Sequence, residues 1–180
     1  MKHILLFALL FAVGSISAQK IKWMSMNEAV AAQAKNPKKI FVDMYTNWCG
    51  PCKMLDRNTF SNKDVANYIN ANFYAVKFNA EGDESITANG QSFSNPSYDP
   101  TKAYRRNSQH QFAKYMGVRA YPTVLFIGED GGLINRVKGY KTSQQMELYL
   151  KFFGTDLWKT INTQEAFNKY FDSFEPQFKS

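Results

Sequence analysis

The sequence contains few of the residues that build metal sites: its 180 residues include two cysteines, Cys49 and Cys52, and two histidines. A pair of cysteines separated by two residues supplies half of the ligands of a common zinc site. Only His110 could add a ligand to this pair, and we expect it to lie on a solvated helix face. A zinc site would need cysteine pairs from two molecules, so we expect no metal.

The sequence also lacks a transmembrane segment of typical length near its N-terminus, because the apolar run at residues 4–13 is shorter than the roughly 20 residues that a membrane-spanning helix needs. Lys2 precedes this run and small residues 14–18 follow it, which is typical of a secretory signal peptide cut after Ala18. No cysteine lies at the predicted cleavage site, which disfavours a lipid-anchored protein. We therefore expect an exported protein, periplasmic or secreted, without stable membrane insertion once the signal is cleaved. An uncleaved anchor is the alternative.

Positive charge is abundant but not concentrated in one stretch. The formal net charge is +7 and the pI is near 9.3, values that would suit nucleic-acid binding. The lysines and arginines are scattered, however, and the longest cluster contains only Lys35, Lys38 and Lys39. Scattered charge of this kind is typical of a solvated surface, so we expect no nucleic-acid partner.

The remaining chain alternates between strand-like and helix-like patterns and has no internal repeats. In chain order the patterns predict strand 20–24, helix 26–35, strand 39–45, helix 50–58, a helix capped at 61–64, strand 73–78, helix 108–116, a hairpin of strands 123–127 and 133–138, helix 143–153 and helix 163–174. Such alternation predicts an α/β domain with a mixed sheet and helices on both faces. We place this domain at residues 19–154, with an insertion without sustained periodicity at about 80–108 and a helical extension at 155–180.

The two cysteines lie in the most chemically informative segment, Trp48-Cys49-Gly50-Pro51-Cys52-Lys53. This segment follows a predicted buried strand, and Pro51 suits the first turn of a helix that would place Cys49 at its N-terminus. The positive end of a helix favours a thiolate, and two thiols at this spacing can exchange with a foreign disulfide. The spacing alone leaves redox, metal and structural roles open, although so small a loop would stabilise little as a structural disulfide.

This segment after a buried strand, together with Tyr121-Pro122-Thr123 before the hairpin, resembles the thioredoxin family. Residues 58–65 and 68–73 are similar to an exported thioredoxin-like subgroup that includes the C-terminal domain of the bacterial electron-transfer protein DsbD. The resemblance covers residues 21–153 approximately and implies a thioredoxin fold. It does not extend to residues 80–108 or to those after 154, so substrate choice stays open where these segments border the active site.

The resemblance implies a role for each member of the site. Cys49 would be the nucleophile, Cys52 the less exposed resolving cysteine, and Asp43 the buried carboxylate that moves the proton of Cys52. Pro122 would be a cis proline facing the disulfide. Lys77 would support Asp43, or would be an outward-facing strand lysine.

Four further residues would border the bound substrate, namely Trp48, Gly50, Pro51 and Tyr121. For Trp48, plain core packing is the alternative, and for Pro122 it is a trans proline at the start of a strand.

The function implied by the resemblance is that of an exported thiol-disulfide oxidoreductase that reduces disulfides in other proteins. Gly50-Pro51 between the cysteines, without a histidine, resembles the reducing members. The sequence shows no nucleotide-binding fingerprint, so electrons would come from an upstream protein donor, with no cofactor besides the Cys49–Cys52 disulfide. One alternative is a disulfide oxidase or isomerase. Another is a client-binding, chaperone-like module that uses the insertion and the aromatic C-terminal stripe Phe167, Tyr170, Phe171 and Phe174.

Overall fold

The computed structural model describes residues 20–179, so the predicted signal peptide, residues 1–18, lies outside the described residues. The strands are β1 Trp23–Met24, β2 Ile40–Tyr45, β3 Tyr74–Asn79, β4 Ile86–Ala88, β5 Gln91–Phe93, β6 Thr123–Ile127 and β7 Leu133–Lys138. The helices are α1 Met26–Lys35, α2 Gly50–Leu55, α3 Lys63–Asn72, α4 Gln111–Tyr115, α5 Ser143–Gly154, α6 Leu157–Thr160 and α7 Gln164–Ser173. None of the helices in this part of the chain is both long and apolar enough to cross a membrane.

Five strands form one mixed sheet in the order β1-β3-β2-β6-β7. The central strand β2 runs parallel to β3 and antiparallel to β6. Its first five residues are buried because helices cover both faces, which explains the nearly continuous apolar run in the sequence. The predicted mixed sheet is confirmed, and β1 is an edge strand of two residues, shorter than the predicted 20–24.

Side chains that alternate along β2 point into two separate core clusters. Ile40, Val42 and Met44 belong to the cluster that also contains residues of α1 and α4. Phe41 belongs to the other cluster, which also contains Leu55 of α2 and residues of α3 and α5. Asp43 alternates with Val42 and Met44, so it lies on the Phe41 face of the sheet, where α2 packs.

The segment between α2 and α3 is a π-helical turn, Asp56–Phe60, so that α2 ends at Leu55 and not at about residue 58 as the sequence predicts. A new helix then begins after Asn62, whose side chain accepts hydrogen bonds from the backbone N–H groups of Asp64 and Val65 at 2.9 and 3.2 Å. The chain thus forms two helices in sequence here, and the wider turn brings Asp56 towards β3.

The insertion contains regular structure that its lack of periodicity did not predict. Strands β4 and β5 form a hairpin through Asn89 and Gly90, whose φ angles of 52° and 72° are both positive. Two positive φ angles are the requirement of a type I′ hairpin turn, which favours Asn-Gly. Farther on, the side chain of Asn95 donates to the carbonyl oxygens of Gly82 and Ser108 at 2.9 and 2.8 Å. These bonds join the two ends of the insertion.

His110 is buried, which corrects the prediction that it lies on a solvated helix face. Its Nδ1 accepts from the backbone N–H of Phe112 at 3.0 Å, and its Nε2 lies 2.6 Å from the carbonyl oxygen of Glu84. The ring therefore caps α4 and attaches that helix to the insertion. Burial lowers the pKa of His110 and outweighs the effect of the Glu84 carbonyl.

The C-terminal extension packs against α5. The rings of Phe167 and Tyr170 lie 5.2 and 5.1 Å from the ring of Phe152, which is buried in the domain core. Phe171, in contrast, is 49% exposed. Two of the four residues in the aromatic stripe, Phe167 and Tyr170, therefore pack against the domain.

Candidate active site

Cys49 and Cys52 form a disulfide at the start of α2, with an S–S distance of 2.10 Å. Cys49 is the N-cap, and its sulphur accepts from the backbone N–H of Cys52 at 3.1 Å. Pro51 lies in the first helical turn, where its missing N–H leaves no acceptor unpaired. The expected lower exposure of Cys52 is not seen, since the two cysteines are 2% and 3% exposed.

The segment before β6 lies beside the end of β2 and is tied to the cysteine motif by aromatic contact. The Tyr121–Pro122 peptide bond is cis, as predicted. Thr123, the next residue, pairs with Met44 near the end of β2. The rings of Tyr121 and Trp48 meet edge to face with centroids 6.0 Å apart. The structure thus brings Trp48 and Tyr121 together beside the motif.

Asp43 is a buried carboxylate with a single cationic partner. It is 1% exposed, and its Oδ2 accepts from Lys77 Nζ at 2.9 Å. Its other oxygen, Oδ1, has no hydrogen-bond partner among the described residues. Burial raises the pKa of Asp43 to about 6, although Lys77 opposes that rise. A carboxylate with a free oxygen and a pKa near neutrality is suited to accept and return a proton.

Lys77 is shared between two carboxylates, which sequence reasoning did not foresee. Its ammonium group also bonds Asp56 Oδ1, from the π-helical turn. Burial alone would lower the pKa of Lys77, but Asp43 and Asp56 outweigh it and raise the pKa overall. The ammonium group also lies 5.0 Å from the centre of the Tyr45 ring and 5.3 Å from that of Trp23. Lys77 thus faces Asp43 and is not simply an outward strand lysine.

The insertion contributes a second set of residues beside the motif. Glu81 Oε2 accepts from Trp48 Nε1 at 2.7 Å and from the backbone N–H of Asn107 at 2.8 Å. Arg106 lies over the Trp48 ring, with its Cζ 5.0 Å from the ring centre. Burial, reinforced by the nearby Glu81, raises the pKa of Tyr121 to about 12. The sequence showed only that the insertion could border the active site.

These residues line an open groove of about 410 Å³, which we call the insertion groove. Its lining includes Trp48, Glu81, Arg106, Gln109, Arg119 and Tyr121. Within residues 20–179 there is no cluster of three His, Cys, Asp or Glu side chains that could hold a metal ion.

Most of the chain matches a known protein family. A family model described as a thioredoxin-like domain matches residues 26–154. The thiol:disulfide interchange protein DsbD of Pectobacterium atrosepticum is 27% identical over 125 residues, which are 68% of this chain and 18% of that protein. The chain therefore spans about a fifth of the length of this curated relative.

Solved structures show the same fold. A thioredoxin-fold protein from Helicobacter pylori superposes with a TM-score of 0.56 at 18% identity, covering 81% of this chain and 94% of that one. A candidate disulphide-isomerase from Bacteroides thetaiotaomicron is 29% identical, with a TM-score of 0.51 over 76% of this chain and 94% of that one. The predicted fold is confirmed.

Proposed function

We propose that this chain, which belongs to the thioredoxin-like family, is an exported thiol-disulfide oxidoreductase that reduces disulfides in other proteins. The observation that carries the proposal is the disulfide between its two cysteines at the start of α2. Two further features support it. The strand that leads to this disulfide carries the buried Asp43, and a cis Pro122 lies beside the end of the same strand.

The reaction begins with the reduced form of the pair. The Cys49 thiolate attacks one sulphur of a substrate disulfide, a Cys49–substrate bond forms, and the other substrate sulphur leaves as a thiolate. Cys52 then loses its thiol proton and attacks the sulphur of Cys49. The Cys49–Cys52 bond forms, and the second substrate sulphur leaves. Two electrons have passed to the substrate, and a donor dithiol protein must return them.

Asp43 would accept the proton that Cys52 gives up. A group with a pKa of about 6 is mostly ionised at pH 7 and can take a proton without holding it permanently. Its unpartnered Oδ1 leaves one oxygen available for this transfer. Lys77 would keep the carboxylate from becoming permanently protonated in its buried site.

The catalytic assignment can be tested by the reduction of insulin disulfides with dithiothreitol as donor. We expect the wild-type chain to accelerate the reaction and Cys49→Ser to abolish the acceleration. Cys52→Ser that is first reduced, then freed of dithiothreitol and mixed with insulin should instead accumulate a mixed disulfide on Cys49, measurable by mass spectrometry. Insulin reduction that survives in Cys49→Ser would contradict the proposal.

The direction of electron flow is tested by equilibration with glutathione. A reductase should have a potential closer to about −270 mV, as in thioredoxin, than to about −120 mV, as in a strong oxidant. The Gly50-Pro51 dipeptide between the cysteines supports the reducing assignment. A potential near the oxidant value would reverse it.

Export rests on the sequence pattern of residues 1–18. The test is N-terminal sequencing of the protein recovered from the periplasm or medium of an expressing bacterium. We expect the mature chain to begin at Gln19. An intact N-terminus on protein that stays with the membrane would support the uncleaved anchor instead.

Disulfide isomerisation is a second candidate, favoured by the similarity to the Bacteroides thetaiotaomicron protein. An isomerase rearranges disulfides without changing their number. Scrambled ribonuclease A separates the two activities. Recovery of ribonuclease activity without net thiol formation would favour the isomerase.

A further inference from the structure

The insertion groove lies next to the residues that would meet a protein substrate. One side is formed by Trp48, directly before the nucleophile Cys49, and another by Tyr121, directly before Pro122. The insertion itself supplies Glu81 and Arg106. We therefore expect the chain that carries the attacked disulfide to lie close to this groove.

Two arginines of the groove are available to bind a ligand. Neither Arg106 nor Arg119 takes part in an ion pair within the described range 20–179. Both side chains are exposed. The Arg106 Cζ lies 5.0 Å from the centre of the Trp48 ring. This contact restricts the side chain before any ligand arrives, so that less entropy is lost on binding.

The single carboxylate in the groove is already engaged. Glu81 Oε2 accepts from both Trp48 Nε1 and the backbone N–H of Asn107, so Glu81 holds the insertion against the motif. Two guanidinium groups against one carboxylate leave the groove with a net positive charge. The planar fork of an arginine matches a carboxylate, which can accept two N–H bonds from it.

We propose that the insertion groove selects protein substrates with an acidic residue close to the disulfide that Cys49 attacks. Arg106 and Arg119 would bind the carboxylate of that residue, and the Trp48 and Tyr121 rings, which meet edge to face, would contact the adjoining peptide. This selectivity rests on the proposed exchange function. It assigns the insertion a role in substrate choice, which the cysteine motif alone does not determine.

The test uses three synthetic peptides that share one disulfide loop and differ in the residues flanking it, which are glutamates, alanines or lysines. The full chain reduces each peptide with dithiothreitol as donor, and kcat/KM is measured. Neutral 2-hydroxyethyl disulfide serves as a substrate that cannot use the arginines. Failure with this small disulfide would refute the proposed function, and the selectivity with it.

We expect kcat/KM for the glutamate peptide to exceed that for the lysine peptide by roughly tenfold at low ionic strength, since two exposed charge pairs contribute about that factor. The ratio should fall towards one in 0.5 M salt because exposed charges are screened. The double variant Arg106→Gln/Arg119→Gln should lose the preference, and Arg106→Glu/Arg119→Glu should reverse it. In each variant the preference is calculated relative to kcat/KM for 2-hydroxyethyl disulfide, so that a change in the reactivity of Cys49 alone does not alter it.

Arg105→Gln is the matched control, because Arg105 is the exposed neighbour of Arg106 and does not line the groove. This variant should keep the full preference. Equal kcat/KM for the three peptides, with normal reduction of the small disulfide, would overturn the selectivity and leave the exchange function standing. A preference that persists in the Arg106→Gln/Arg119→Gln variant, or is lost equally in Arg105→Gln, would also overturn it.

Discussion

Replacing Asp43 with asparagine should stabilise the oxidised protein at neutral pH. The side chain is 1% exposed, and its Oδ1 has no hydrogen-bond partner among residues 20–179. Ionisation in such a place is costly, and asparagine removes the charge while keeping nearly the same volume. Lys77 would not be left without an anionic partner, because it also pairs with Asp56.

The magnitude follows from the pKa of Asp43, which burial raises from 3.8 to about 6. Each unit of pKa corresponds to about 1.4 kcal/mol, so ionised Asp43 costs the folded state about 3 kcal/mol. As pH rises, the unfolded chain releases this proton near pH 3.8 and the folded protein only near pH 6. The folded state therefore holds more protons between these values, and its stability falls as pH rises through them. The benefit of Asp43→Asn should be complete above about pH 6 and absent below about pH 4.

The assay is urea unfolding of the oxidised wild type and variant at pH 4 and pH 7.5, with the disulfide kept intact. We expect the variant to gain up to about 3 kcal/mol in unfolding free energy at pH 7.5 and almost nothing at pH 4. Asp172→Asn is the control, since Asp172 is exposed in α7 and forms no ion pair among residues 20–179. An equal gain in unfolding free energy at both pH values, or a loss at pH 7.5, would refute the conclusion that ionised Asp43 destabilises the folded protein.

Three other predictions use the same contacts. Asp56→Asn should lower the pKa of Asp43, because it removes a negative charge that raises this pKa and leaves Asp43 as the remaining carboxylate partner of Lys77. The pH midpoint of insulin reduction should therefore move down. An upward shift of this midpoint would contradict the prediction. Phe152→Ala should lower the unfolding free energy by about 3–5 kcal/mol, whereas the exposed Phe171→Ala should change it by less than about 0.5 kcal/mol, as urea unfolding would show. Asp43→Asn should raise the redox potential measured against glutathione, because removing a negative charge favours the Cys49 thiolate and so stabilises the reduced form. An unchanged potential would mean that Asp43 does not influence this cysteine.

The sheet and the main site residues were predictable because their sequence signals are local. The apolar run of β2 reflects burial on both faces, and Pro51 marks a helix start directly after Cys49. The start of α1 is a local signal too, because both hydrogen bonds of its capping box join Ser25 and Glu28, three residues apart. Pro122 was identified from its motif and its place before a strand.

Other features depend on contacts between distant segments and could not be foreseen in this way. Asp56 reaches Lys77 only because the helix widens into a π-helical turn, and no local pattern in the sequence marks that change. The sequence predicts His110 on a solvated face, which is wrong because the burial of this side chain depends on the insertion, through the carbonyl oxygen of Glu84. The β4–β5 hairpin is different, since the dipeptide Asn89-Gly90 is a local turn signal that could have revealed it.

The client-binding alternative is weakened by how the aromatic stripe is used. Phe167 and Tyr170 contact Phe152, so half of the stripe contributes to the core and is not available to grip a partner. Residues at the very end of the chain are also tied down, because Gln177 and Phe178 donate backbone N–H bonds to the buried Glu147, each at 2.7 Å. An extension held in this manner stabilises the domain.

Opposing charges around the disulfide explain why the cysteine motif alone does not determine the direction of electron flow. The buried carboxylate of Asp43 disfavours a thiolate and so favours the disulfide, which makes the reduced form a better electron donor. Arg106 lies over the ring of Trp48, the residue directly before Cys49, and a cation near a thiolate acts in the opposite sense. A change of 30 mV corresponds to about 1.4 kcal/mol, so a balance of a few such interactions decides between reductant and oxidant. Because Arg106 comes from the insertion, we expect the potential to depend also on residues far from the motif in sequence.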